Sequence, residues 1–290
     1  MNRPTVAAAL ANPHNNFGLL RLIMALAVVV SHAFSVTDGR VEQEPWFQTT
    51  GFTLGEHAVN GFFAISGFLV TMSFVRRGWR DYVVARLLRI APGLVAATLL
   101  VALVLGALMT TLDASAYFRD PRLWRFISGT LTTFKSAAGL PGVFESNPLP
   151  FPLGTVWTLK YETLCYLGVL VAGLAGLLAR PRIALAALVP LSVTPLYKAA
   201  LFLVTAWGVL VLALAPALTR RSVEPPADLS YGVYLYGWPV QQALYALYPA
   251  LSAVTLLWPS LAATLIVAAL SWYLIEKPAL GLKRRLMGAS

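Results

Sequence analysis

"FGLLRLIMALAVVVSHAF", residues 17–34, decides how this chain is read. A bilayer's hydrocarbon core is crossed by about 20 apolar residues in a helix, and this stretch is nearly that. It also carries Arg21 and His32, and ionisable groups inside a membrane are costly, rare and usually turned toward a cavity or a partner. Arg21 and His32 are eleven residues apart, which at 100° per residue returns to within about 20° of the starting direction. The two share one face of a helix, about 16 Å apart along its axis.

The rest of the chain agrees with a membrane reading. Of 290 residues, 58% are hydrophobic and 12% charged, and the mean hydropathy is +0.71. Apolar stretches recur at 17–37, 51–75, 90–112, 153–178, 182–198, 199–218, 229–248 and 251–275. The sequence predicts an all-α, multi-pass helical bundle forming one membrane-embedded unit over 1–290. The first stretch lacks a small-residue cleavage site and reads as a retained span. The more polar 122–137 reads as a short interfacial or re-entrant helix, and 182–198, with Pro190 and Pro195, as a broken one.

Charge placement sets the orientation. With the N-terminus inside, the cytoplasmic pieces hold fourteen Lys and Arg, and the outer loops hold six, balanced by six acids. The whole net charge of +10 then lies inside, the pattern of a multi-pass protein with both termini cytoplasmic. Charge sorted this way meets anionic lipid headgroups and argues against nucleic acid as a partner. A single cysteine, Cys165, excludes an internal disulfide, and His14, His32 and His57 show no metal-ligand spacing.

Arg21 near the cytoplasmic entrance suits a phosphate or carboxylate through its forked donors. His32, deeper, suits taking a proton from a hydroxyl. The structural alternatives are a snorkelling Arg and a His held by a neighbouring helix. In the second span, Asn60 and Ser66 interrupt a Phe- and Gly-rich run that also holds Glu56 and His57, with Gly61 and Gly67 read as close-contact positions. "RRGWRDYVVARLLRIAPG", 76–93, is basic and amphipathic, with Arg86 and Arg89 on one face and Pro92 opening the next span. It reads as an interfacial helix or a cradle for a donor's phosphates. In "LGTVWTLKYETLCYLG", 153–168, Trp157 belongs at an interface. Glu162 is a candidate to orient His32 or bind a sugar hydroxyl, or else half of a buried ion pair. Asp228 reads as a helix cap before "SYGVYLYGWP", whose Tyr231, Tyr234 and Tyr236 offer hydroxyl and aromatic surface to a polar substrate.

Together these segments resemble membrane acyltransferase family 3, the bacterial O-acyltransferases of surface polysaccharides and Nod factors. The resemblance rests on Arg-x10-His (Arg21, His32), "FFAISGFL" (62–69), "RLLRIAP" (86–92), "WTLKYE" (157–162), "SYGVYLYGWP" (230–239) and "YLIEKP" (273–278). It covers a core at 17–278 and implies a bundle of about 8–10 transmembrane helices in the bacterial cytoplasmic (inner) membrane. It implies transfer of an acyl group, typically acetyl, from cytosolic acyl-CoA to a hydroxyl of a lipid-linked or polymeric glycan, with no metal. It assigns Arg21, His32 and Glu162 as catalytic residues, and Arg21, Arg86 and Arg89 to the donor. Asn60, Ser66, Trp157, Tyr231 and Tyr234 form the candidate substrate-binding set. The chain departs from the family pattern at Gly237, commonly His, and at Lys160, often Pro. The competing class is a transporter or flippase of an anionic lipid-linked sugar, which needs the Arg and His but no acyl-CoA.

Overall fold

A computed structural model describes residues 16–176 and 225–286. Among the described residues it is helical, with one isolated antiparallel bridge between Thr110 and Val143. The spans read at 182–198 and 199–218 lie outside the described residues, as does His14.

Helix α1, Phe17–Asp38, is stopped by Gly39, whose φ of 71° is a left-handed cap, and whose N–H returns to the Ser35 carbonyl at 2.9 Å. After a 3-10 turn at Val41–Gln43 and a short α2, Pro45–Thr50, the chain enters α3, Leu54–Leu99. A capping box starts α3: the Glu56 N–H donates to Thr53 Oγ1 at 3.0 Å, and the Thr53 N–H donates to Glu56 Oε2 at 2.7 Å. Glu56 is therefore a first-turn capping group rather than a charge deep in a span. A buried neighbour, Glu44, takes the Leu54 N–H through both carboxylate oxygens, at 2.9 and 3.0 Å.

The spans read at 51–75 and 90–112 are one helical run. It passes from α3 through a π-turn, Leu100–Leu105, into α4, Gly106–Met109. Gly78, at φ 79° and ψ 174°, has a non-helical backbone and divides the run into two helices that meet at a kink, and Pro92 sits inside the second of them instead of opening a span. The basic segment beyond Gly78 is thus continuous with the helix that follows it. Short helices follow: α5, Ala114–Arg119, and α6, Pro121–Thr133, the latter capped by Asp120 accepting the Arg122 N–H at 2.7 Å. Beyond an irregular loop come α7, Trp157–Leu174; α8, Ser230–Leu247; and α9, Ala253–Ser271. A second π-turn, Trp272–Glu276, leads into α10, Lys277–Leu286. Lys283 of α10 pairs with Asp81 of α3 at 2.7 Å.

Among the described residues, three helical runs are long and apolar enough to cross a membrane: Phe17–Asp38, Leu54–Met109 and Ala253–Lys283. Their outward faces carry Ile23, Leu108, Trp258, Ile266 and Leu274, all exposed, as a lipid-facing surface requires. The spans read at 153–178 and 229–248 appear as the 18-residue helices α7 and α8.

Helix α8 is central: every residue from Ser230 to Pro239 is buried, and it packs against both α1 and α9. Gly232 permits that closeness, because a Cβ there would stand 2.9 Å from the backbone Cα of Ala268. Gly67, expected to serve a similar contact, meets no described atom within 4 Å of a built Cβ. Gly232→Ala should therefore destabilise the folded protein by about 1–3 kcal/mol through overpacking. Gly67→Ala should stabilise it by about 0.5–1 kcal/mol through lower unfolded-state entropy. Thermal unfolding in detergent reads both, and equal shifts of one sign would refute this packing.

A candidate active site in two chambers

Arg21 on α1, Arg89 on α3 and Asp228 just ahead of α8 meet at one carboxylate. Arg21 Nη1 donates to Asp228 Oδ2 at 3.0 Å, and Arg89 Nη2 stands 2.9 Å from the same oxygen. Ser230 Oγ donates to Oδ1 at 2.6 Å. Asp228, expected as a helix cap, is instead the shared counter-ion of two arginines, and the residue before α8 is Leu229 with no side-chain cap. Burial raises the Asp228 carboxyl, but Arg89, Arg21 and Ser230 outweigh it and hold the group at about 2. Each guanidinium engages Asp228 through one terminal nitrogen and keeps forked geometry for a second anion.

Both arginines line a small chamber of about 50 Å³, with Ser66, Glu162, Tyr231 and Tyr234 also in its wall. Tyr231 is fixed by donating to the Ile90 carbonyl at 2.9 Å, with the Arg89 guanidinium 5.6 Å from its ring centroid. Gly93 makes room for this, since a Cβ there would stand 2.6 Å from Tyr231 Cε1 and 3.6 Å from Glu276 Cγ. Glu276 is itself buried and accepts from Ser271 Oγ at 2.9 Å, while its Oε2 has no hydrogen-bond partner among the described residues.

Glu162 belongs to this arginine chamber and takes a short hydrogen bond from the Tyr166 hydroxyl. It does not meet His32, which lines the second chamber. Arg86 stands behind the first chamber rather than in its wall, with its guanidinium 5.6 Å from the Tyr166 ring centroid.

The second chamber, of about 580 Å³, holds His32, Asn60 and Trp157 together with hydroxyl and aromatic groups. His32 packs edge-on against Trp238, centroids 5.0 Å apart at 86°. Trp238 is in turn locked by stacking on Phe151 at 5.4 Å and by donating Nε1–H to the Phe151 carbonyl at 2.7 Å. The ring nitrogen Nδ1 of His32 is buried with no hydrogen-bond partner among the described residues. A positioned imidazole with a free ring nitrogen can take a proton or act as a nucleophile.

The structure thus places Arg21 and His32 in two adjoining chambers, along one face of α1. Asp228, Glu276, Tyr166 and Trp238 were not singled out for the site by the sequence. Tyr166, Trp238 and Glu276 lie inside the quoted segments and Asp228 just ahead of one, but the arginine partners of Asp228 lie far away in the chain. Gly237, where a His is common, has no room for a side chain: a Cβ would come 2.5 Å from Val29 Cγ2.

Asp228→Asn should unbalance two adjacent arginines and cost about 3 kcal/mol of stability. Because the carboxyl is held at about 2, below its ordinary 3.8, the stabilisation is complete above about pH 4 and fades as pH falls toward 2. The thermal-stability gap between wild type and variant should close over that range. A gap that is absent at pH 7 would show that the ion cluster holds nothing together.

A family model described as an acyltransferase domain matches residues 14–215. The segments "SYGVYLYGWP" and "YLIEKP" lie beyond that match. An O-acetyl transferase of Shigella phage Sf6 is 27% identical over 335 aligned positions, covering 91% of this chain and 95% of its own. Nodulation protein 10 of Rhizobium leguminosarum bv. viciae is 29% identical, covering 94% and 95%. These alignments are longer than the 290-residue chain, so the relatives carry segments that it lacks. No solved structure matches the chain. The match over most of its length, together with the Arg-x10-His pair on α1, makes the chain a member of membrane acyltransferase family 3.

Proposed function

We propose that this protein transfers an acetyl group from cytosolic acetyl-CoA to a hydroxyl of a lipid-linked or polymeric surface carbohydrate. It would work as a multi-pass protein of the bacterial cytoplasmic membrane, with no metal. The observation that supports this reading is the pair of adjoining chambers, one walled by two arginines and the other by a histidine with a free ring nitrogen.

Arg21 and Arg89 would take the donor's phosphates, with Arg86 steadying Tyr166 and Glu162 behind them. The acceptor sugar would lie in the larger chamber against Asn60, Trp157 and Tyr234, and Ser66 and Tyr231 would line the donor's path. Two routes share this geometry. In one, the sugar oxygen attacks the thioester carbonyl as its proton passes to His32. The tetrahedral intermediate then collapses, and the CoA thiolate leaves and receives the proton. In the other, a ring nitrogen of His32 attacks first and expels the thiolate, and the sugar hydroxyl then displaces the imidazole from the acyl group. Membership of an acyltransferase family favours either route over sugar transport.

Membranes supplied with labelled acetyl-CoA and the host glycan should pass label into glycan. His32→Ala should lower the rate by about 10²- to 10⁴-fold. Arg89→Lys keeps the charge but loses the fork, and should raise KM for acetyl-CoA about tenfold with a smaller change in kcat. Full activity in His32→Ala, or no consumption of acetyl-CoA by wild type, would overturn the proposal.

A further inference from the structure

The two chambers share four wall residues: Val59, Phe63, Thr158 and Tyr234. Val59 and Phe63 are four apart on α3 and so neighbours on one face. Opposite them, Tyr234 of α8 and Thr158 of α7 are joined by a short hydroxyl–hydroxyl hydrogen bond. Both hydroxyls also reach the Thr155 carbonyl, Tyr234 at 2.9 Å and Thr158 at 3.2 Å. Phe62 meets the Tyr234 ring edge-on at 6.2 Å. The wall is therefore two apolar side chains facing a hydroxyl clamp that ties two helices together.

We infer that this wall is the passage through which the acyl group crosses between the chambers, and that its width selects short acyl chains. The inference rests on the proposed function. If the donor's phosphates are held by Arg21 and Arg89 and the acceptor lies with His32, only the acyl group has to pass the wall. The clamp fixes one side, because Tyr234 is bonded to two groups at the start of α7 and cannot swing away without breaking both bonds. The bore then depends on Val59 and Phe63, whose side chains carry no polar anchor. Tyr234 and Thr158 act as positioning residues, and Val59 and Phe63 set specificity.

One methylene in a fitted apolar pocket is worth roughly 10- to 200-fold in kcat/KM. Wild type should therefore prefer acetyl-CoA over butyryl-CoA by at least about tenfold. Val59→Ala and Phe63→Leu should each shrink that ratio about tenfold while still passing acetyl. Leu108→Ala, on the exposed outer surface, should leave the ratio unchanged. The ratio is measured within one preparation, so it does not depend on how much protein folds.

An unchanged ratio in Val59→Ala and Phe63→Leu, with acetyl transfer retained, would overturn the filter and leave the proposed function standing. So would a wild type that uses both donors equally. Loss of transfer from every donor in both variants would also overturn it, since a wider bore must still pass acetyl. A wild type that consumes no acyl-CoA would overturn the proposed function and the filter together.

Discussion

Two guanidiniums share one carboxylate at the meeting point of α1, α3 and α8, and the arginine chamber is organised around that ion cluster. Arg21 and Arg89 are like charges that repel across a short gap, and Asp228 binds both. The three helices are thereby fixed at one end by a charge contact and along their lengths by close packing: a Cβ on Gly237 of α8 would stand 2.5 Å from Val29 of α1, and one on Gly93 of α3 would stand 2.6 Å from Tyr231 of α8. The same contact stops the two arginines from turning outward, so their forks stay aimed at the cavity.

From that fixed end, α8 carries a graded set of side chains. Ser230 and Tyr231 face the arginines, Tyr234 stands in the dividing wall, and Trp238 holds His32 in the far chamber. Two turns of one buried helix thus touch both chambers and the wall between them. This accounts for the absence of exposed positions between Ser230 and Pro239, and for glycines wherever a neighbouring helix comes close. A helix with this many contacts has little freedom to move, and chemistry that needs donor, base and acceptor in line benefits from such rigidity.

The general outline was legible in the sequence. Apolar stretches gave the helices, and the eleven-residue spacing of Arg21 and His32 correctly put both on one side of α1. What stayed hidden depended on contacts between distant segments. Asp228 looked like a cap because its local position allows one, whereas its partners lie about 140 and 207 residues away. Glu56 looked like an intramembrane charge because the capping box depends on where the helix begins, which apolar content does not mark. Glu162 looked able to reach His32 because sequence gives no depth along α7. The span start expected at Pro92 falls elsewhere: the chain breaks at Gly78, whose missing Cβ allows the non-helical backbone, and Pro92 sits inside the helix that follows.

Under the proposed function, the acyl group passes from a cytosolic donor held by the arginine chamber to a glycan held with His32 on the other side of the membrane. Sealed inverted vesicles offer acetyl-CoA only to the cytoplasmic face while the glycan acceptor stays inside, and labelled acetyl-CoA added outside tests the claim directly. Label should build up on the enclosed glycan, with free CoA released outside and the vesicles still sealed. Label that appears only after the vesicles are opened, so that donor and acceptor can mix on one side, would contradict it.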